Sequence, residues 1–355
     1  MAVTIKDVAA RAKVSVGTVS RVINARPDVN ALLRARVEEA IRDLNFRPNA
    51  RAQNLSRNSS PIISFILSNR SFVHPFHAHV LQGVEEYCSH TGYFVVFARF
   101  NYSGNTAVSH LRLPSVLRSH GIADCVIAAG TNYPNFLEAM DGLGMRYVTL
   151  ANNVVGSAPH PGVNQVRFDD YSGCAEATRY LLQLGHREIW FLGDTSLPWC
   201  RVRSEAYRCC MNEAGLEPHM LSAGLADDQF MDGMSSVSLI LEKKFPVTAI
   251  LTSTDDMAYG AWEALQRHNL RVPGDVSLIG FDDQYGTLRF PQLTSVHVQT
   301  PEIGVELAKM AIDRIRTSQT EIPEVVVPTK LERRGTCRPL FDGSMVTEGE
   351  VQANT

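Results

Sequence analysis

Apolar side chains recur at helical spacing through the first 50 residues of the 355-residue chain. Ile5, Val8, Ala9 and Ala12 fall at i, i+3, i+4 and i+7, one face of a helix. Thr4, with Asp7 three residues on, makes a capping-box-like start. Lys13-Val14 is a break too short for a loop, after which Ser15 can cap a second helix facing inward with Val19, Val22 and Ile23. Asn30 can cap a third helix whose stripe is Leu33, Val37, Ile41 and Leu44. Two short helices joined by a tight turn form a helix-turn-helix, whose second helix is shaped to lie in a major groove. Pro48 stops the third helix, and Asn49 can cap one more of under two turns, too short to be stable alone in water.

From residue 61 the period changes. Short apolar runs at Ile62–Leu67, Phe94–Ala98, Cys125–Ala129, Tyr147–Leu150, Glu188–Leu192, Thr248–Thr252 and Val276–Gly280 read as buried strands. Helical patterns lie between and after them, at Phe76–His90, Tyr171–Leu184, Arg203–Ala214, Met257–Gln266 and Pro301–Arg316. This alternation predicts an α/β fold with parallel sheets covered by helices, and its length predicts two lobes. In such sheets ligands bind beyond the carboxyl ends of the strands, so two facing lobes make a cleft. Pro75-Phe76-His77, Asn152-Asn153, Trp199 in the loop ahead of Arg201 and Arg203, Thr254 with Asp255-Asp256, and Asp282-Asp283 all follow strands there. Aromatic faces with Asn, Arg and Asp forks suit a polyhydroxyl ligand, although each residue alone is also an ordinary cap or surface ion pair.

Charge sharpens the division. Residues 1–60 carry 11 Lys+Arg against 5 Asp+Glu, while the whole chain has a net charge of −3, so residues 61–355 sum to −9. A basic helical end on an acidic chain points to a polyanion partner, double-stranded DNA. Between the two parts, Leu55 is an apolar residue in a polar, Arg-bearing stretch, one turn after Ala52. Composition alone reads this stretch as a linker; the other reading is an apolar wedge entering a minor-groove step.

Catalysis finds little support. His74, His77 and His79 are spaced around Pro75 so that they cannot share one helical face, and no metal-protease, phosphate-loop or nucleophile-elbow pattern occurs. No metal or cofactor is expected. The seven cysteines (88, 125, 174, 200, 209, 210 and 337) show no C-x-x-C spacing and read as reduced thiols. With no apolar leader and no run of about 18 apolar residues, the expected place is the cytoplasm, not a membrane. The end of the chain is polar and aperiodic, which reads as disorder.

The run Asp7-Val8-Ala9, Val14-Ser15, Thr18-Val19-Ser20-Arg21-Val22 and Asn24, followed by Arg47-Pro48-Asn49, resembles the lactose-repressor (LacI/GalR) family of bacterial transcription regulators, and the resemblance extends to about Pro339. It implies a hinge helix that forms on operator DNA beside that of a dimer mate, with Leu55 prying the minor groove. It implies specificity positions at Val16, Gly17 and Arg21, of which Arg21 can read a guanine bidentately. Thr4, Ser15, Thr18, Ser20 and Asn24 would position phosphates, with Asn49 and Ala52 in the hinge helix. It implies a two-lobed periplasmic-binding-protein-like core, crossed near Gly162, Thr294 and Ile322, in which Arg203 and Asp282 grip an effector.

The expected organisation is a headpiece at 1–47, a hinge helix and linker at 48–60, a core at 61–339 and a disordered tail at 340–355. Within the core, lobe 1 covers about 61–161 plus 295–321 and lobe 2 about 163–293 plus 322–339. The effector set is Phe76, His77, Asn152, Trp199, Arg203, Thr254 and Asp282. Departures from the family pattern at Ala206, Thr254 and Val298 say that this effector differs from those of well-known members, while Lys13, where the family often has Gly in the headpiece turn, can meet a phosphate. The expected function is a repressor that binds a pseudo-palindromic operator as a homodimer or tetramer, with a dimer favoured because no heptad tail is present, and that is switched by a small carbohydrate. Alternatives are a binding protein without a regulatory role, or a regulator answering to a phosphosugar, a purine or a partner protein.

Overall fold

The computed structural model describes residues 3–23, 26, 28–46, 61–70, 75–119, 122–156, 159–225, 228–286, 288–317 and 319–340. The hinge segment with Asn49, Ala52 and Leu55, together with Asn24 and residues 341–355 of the tail, lies outside them. The chain divides into two compact units, Met1–Pro61 and Ile62–Thr355.

The first unit is a three-helix bundle of α1 (Ile5–Ala12), α2 (Val16–Ile23) and α3 (Ala31–Asp43). The Thr4 hydroxyl and backbone N–H donate to Asp7 at 2.7 and 2.8 Å, closing the capping box and holding the Asp7 carboxyl below its ordinary range. Ser15 Oγ accepts from the Thr18 N–H at 3.1 Å, and Asn30 Oδ1 from the Leu32 N–H at 2.8 Å, so both expected caps form. Val8, Ala9, Ala12, Val19, Val22, Val37, Ala40 and Phe46 make the core. Lys13 adopts the left-handed region (φ 51°, ψ 49°), at a cost of about 1 kcal/mol for a residue with a Cβ. Its turn is clamped by Arg36, which donates to the Ala12 carbonyl at 2.5 Å.

The second unit begins with β1 (Ile62–Ser68), α4 (Pro75–Thr91), β2 (Phe94–Phe100), α5 (Ser115–Arg118), β3 (Cys125–Gly130), α6 (Pro134–Gly142), β4 (Tyr147–Leu150) and β5 (Gln165–Phe168). It continues with α7 (Asp170–Gln183), β6 (Ile189–Leu192), α8 (Pro198–Glu213), β7 (His219–Leu221), α9 (Gln229–Glu242), β8 (Ala249–Thr252), α10 (Asp255–Arg267), β9 (Ser277–Asp282) and β10 (Thr294–Val298). It closes with α11 (Thr300–Arg316), β11 (Val325–Val327) and β12 (Thr329–Glu332). Two six-stranded sheets result, in the orders β11-β5-β4-β3-β1-β2 and β12-β10-β9-β8-β6-β7. All pairings are parallel except β10 with β12. Strands such as β3 and β9 are buried along their whole length, which explains their continuous apolar runs.

The lobe boundaries differ from the sequence expectation. Gln165–Phe168 and Val325–Val327 pair with each other in the first sheet, and Thr294–Val298 belongs to the second. The chain therefore crosses at Phe168–Asp169, Val298–Thr300 and Val327–Thr329, several residues beyond Gly162, Thr294 and Ile322. Each short crossing strand pairs only within its own sheet, and hydrophobic pattern alone does not say which sheet that is.

In the first lobe α4 and α11 pack through glycine. A Cβ on Gly83 would lie 2.0 Å from the Pro301 carbonyl oxygen, and one on Gly304 would lie 2.1 Å from that of Val80. Among the described residues, the connection from β2 to β3 holds a 3₁₀ turn at Val108–His110 and the four-residue α5. A continuous buried apolar cluster runs from Ile63 and Phe65 through Phe168 at the first crossing to Phe191 and Phe281.

Candidate functional site

The headpiece leaves Ser15, Val16, Gly17 and Arg21 exposed along one side of α2, while Val19 and Val22 face the core. Thr18 and Ser20 are half-buried and Thr4 is exposed at the start of α1. A Cβ on Gly17 would meet nothing nearer than Ser15 Oγ at 3.7 Å, so the bundle itself does not require a glycine there. A missing side chain on an exposed helix face suits close approach of another surface.

The core unit holds a cleft of about 770 Å³ between its lobes, at the carboxyl ends of the strands. Phe76, His77, Asn152, Trp199, Arg203, Thr254 and Asp282 all line it. They come from α4, the segment after β4, α8, the cap of α10 and the end of β9. Phe76 and His77 are buried in the first turn of α4, with the Phe76 ring against Phe168 at 5.6 Å.

Trp199 is not in a loop. Pro198 is the first residue of α8, an early start that suits proline's fixed φ. Trp199 and Arg203 are thus one helical turn apart, and the Arg203 guanidinium lies 4.6 Å from the Trp199 ring centre. It lies closer still to Phe281, at 3.5 Å, in a cation–π contact.

Arg203 is 1% exposed and serves as an electrostatic hub. Nε donates to Asp170 at 2.6 Å, Nη2 to Asp282 at 3.1 Å, and Nη1 to the Ser253 carbonyl. Burial pushes the Asp282 carboxyl up to about 7; Arg203 draws it down and Asp170 pushes it further up. Burial likewise raises Asp170 against the pull of Arg203.

Asn152 lines the cleft, but its amide is already committed. Nδ2 donates to the Phe168 carbonyl at 2.9 Å and to Asp170 at 2.6 Å, and Oδ1 accepts from the Phe168 N–H at 3.1 Å. It staples the first crossing strand to β4 and has no amide fork left for a ligand. The Thr254 hydroxyl caps α10, accepting from the Met257 N–H at 3.3 Å.

Asp282 and Asp283 both lie at positive φ, 97° and 50°, a strained pair for residues with a Cβ. The strain is held in place from several sides. Arg334 grips Asp283 with two nitrogens, at 2.7 and 2.9 Å, and His297 lies 3.0 Å from the same carboxylate. Against the pull of burial, these contacts hold the Asp283 carboxyl below its usual range. Asp255 accepts from the Gln284 N–H at 2.9 Å and from Ser295 Oγ at 2.6 Å; burial raises its carboxyl well above the usual range.

Several lining residues were not legible as site residues: Asn69, Arg70, Phe168, Gln229, Tyr285 and Arg289. Phe168 ends a four-residue strand whose pattern merges with its neighbours. Asp170, which does not line the cleft, is the partner that sequence reasoning missed; its one signal is its place at the start of α7, beside the cap Asp169.

Among the described residues no group of three or more His, Cys, Asp or Glu side chains is arranged to hold a metal, and no helix is long and apolar enough to cross a membrane. Residues 4–49 match the model for bacterial regulatory proteins of the lacI family, and residues 178–337 that for a periplasmic-binding-protein-like domain. The chain is 30% identical over 341 residues to the ribose operon repressor of Escherichia coli (strain K12), covering 95% of this chain and 98% of that protein. A solved complex of the transcriptional regulator CelR with cellobiose aligns at a TM-score of 0.67 and 27% identity, over 94% of this chain and 99% of that one. The Lac repressor dimer bound to operator and an anti-inducer shares the fold at a TM-score of 0.77 and 23% identity, over 95% and 100%. These relatives are regulators rather than enzymes. From headpiece to core, the chain belongs to the lacI family of bacterial regulatory proteins.

Proposed function

We propose that the chain represses transcription by binding a pseudo-palindromic operator as a homodimer, and that a small polyhydroxyl effector in the inter-lobe cleft switches that binding. The observation that carries the reading is the cleft itself. Aromatic rings of Phe76, Phe168, Trp199 and Tyr285 line the same cavity as the hydrogen-bonding groups of Asn69, Gln229 and Asp282. Rings stack on sugar C–H faces while acceptors and donors fix hydroxyls, a division of labour typical of such sites. Cellobiose in the CelR complex is a ligand of that kind.

On the headpiece, Arg21 is the base-reading residue, Val16 and Gly17 set the close approach, and Thr4, Ser15, Thr18, Ser20 and Asn24 contact phosphates. For Asn49, Ala52 and Leu55, outside the described residues, the proposed role is contact with the minor groove, Leu55 acting as the apolar wedge. The effector acts by binding two arrangements of the lobes unequally, since a ligand that prefers neither shifts nothing.

A thermal-shift screen of the full chain against neutral sugars, sugar acids, sugar phosphates and purines tests the cleft. A sugar that stabilises the protein should lose that effect in Trp199→Ala, which removes an aromatic wall that makes no ion pair. A stabilising ligand indifferent to Trp199→Ala and Phe168→Ala would place the effector elsewhere.

A further inference from the structure

The fully buried cation of the cleft is shared between two carboxylates. The side chains of Arg203, Asp170 and Asp282 are 2%, 3% and 9% exposed. The guanidinium meets Asp170 at 2.6 Å and Asp282 at 3.1 Å, so with both carboxylates ionised the trio carries one net negative charge. The second oxygen of Asp170 is held by Asn152 at 2.6 Å, which fixes its carboxylate against Arg203.

We propose that Asp170 is a specificity-determining residue: by taking up the charge of Arg203 from behind, it makes the cleft refuse anionic ligands and accept uncharged polyhydroxyl ones. This rests on the reading that the effector occupies the cleft. An anion reaching Arg203 meets Asp282 at the wall and Asp170 behind it, and like charges in contact discriminate strongly against a wrong partner. A neutral hydroxyl faces no such conflict, because it donates its proton to the ionised Asp282 and accepts from neighbouring N–H groups.

The remaining charges of the cleft do not restore an anion site. Arg289 lies 3.7 Å from Asp256 and over the Tyr259 ring, 4.0 Å from its centre. Arg70 donates to Thr131 at 3.0 Å, and Asp228 caps α9. The lining residues hold three arginines and three aspartates, with Asp170 in addition behind Arg203.

Acid–base behaviour follows from the same crowding. Facing the trio are Asp169 beside Asp170, Asp255 and Asp256 on the side of Asp282, and the buried thiols of Cys174 and Cys200 beside the guanidinium. Burial, with Asp170 adding its like charge, brings the Asp282 carboxyl up to about 7. A neutral polyol that needs the ionised acceptor therefore binds more tightly as pH rises through neutrality. Removing the Asp170 charge moves that dependence to lower pH.

The test uses the full chain, wild type and Asp170→Asn, with D-ribose and cellobiose as neutral probes and ribose 5-phosphate and gluconate as anions, by calorimetry from pH 6 to 8. In the wild type the anions should fail while a neutral probe binds, more tightly at pH 8. Asp170→Asn should raise the ratio of anion to neutral affinity at least about tenfold and flatten the pH profile. A wild type that takes either anion as well as the neutral probes, or an unchanged ratio and profile in the variant, overturns the proposal. Aspartate carboxyl titration by carbon-13 NMR is a second readout, and it needs no ligand. The Asp282 carboxyl, assigned by its loss in Asp282→Asn, should titrate near neutrality in the wild type and at lower pH in Asp170→Asn. An ordinary carboxylate titration of Asp282 in the wild type, or an unshifted one in Asp170→Asn, also overturns the proposal. Probe binding that ignores Trp199→Ala would instead defeat the cleft reading and leave the titration result standing.

Discussion

Arg203→Ala removes the hub of the cleft, and its consequences can be worked out from the contacts it holds. The variant loses two ion pairs, the bond to the Ser253 carbonyl and the stack on Phe281, with the charged side chains at most 9% exposed. Leaving buried carboxylates without their cation costs about 3–5 kcal/mol. In a unit of this size that lowers the melting temperature by roughly 10 °C. The loss also depends on pH. In the wild type burial already raises Asp282 to about 7 in the folded state, above the ordinary carboxylate value, so its folded form binds protons more tightly than its unfolded form. Such a group weakens the fold progressively as pH rises from about 4 to 7. Without Arg203 both carboxyls rise further, so the variant should lose more stability at pH 8 than at pH 5.5. Urea unfolding of the full chain at the two pH values measures this. A loss below about 1 kcal/mol, or an equal loss at both pH values, would refute the hub. Read from sequence alone, Arg203→Ala is a clean probe of effector response; its burial makes it a folding variant as well.

Leu55→Ala should weaken operator affinity at least about tenfold and leave effector affinity unchanged, by fluorescence anisotropy and calorimetry; an unaltered operator affinity removes the wedge. Operator affinity should fall steeply between low and moderate salt as phosphate contacts release counterions, and a flat salt titration would contradict a basic reading face. Gly83→Ala forces a methyl within 2.0 Å of the Pro301 carbonyl, so it should separate α4 from α11 and lower the melting temperature by several degrees or prevent folding. A melting temperature equal to the wild type would show that this helix crossing can relax without cost.

Much of this architecture is legible in the chain because its signals are local. Thr4 with Asp7, Ser15 and Asn30 announce three helix starts, and the structure forms each cap. Strands buried on both faces have no alternation to read, yet their length and flanking helices still mark them as parallel. What escapes depends on partners distant in sequence. Asn152 has the chemistry of a ligand fork but spends it on Phe168 and Asp170, 16 and 18 residues away. Asp170 looks like the first residue of a capped helix until Arg203, 33 residues on, folds against it. The crossing points shift because β5, β10 and β11 are three to five residues long and take their lobe from their sheet neighbour. Trp199 lies in a helix where a loop is expected, because Pro198 reads equally as a loop residue and as the first residue of a helix.

The central claim is that occupancy of the cleft changes the grip of the headpiece on DNA. The most direct measurement is operator affinity of the full chain, on a pseudo-palindromic duplex selected from a random pool, titrated with a neutral sugar that stabilises the protein. Operator affinity should change over the same concentration range in which the sugar binds, and Trp199→Ala should shift both curves together. A sugar that saturates the cleft while operator affinity stays constant would contradict it.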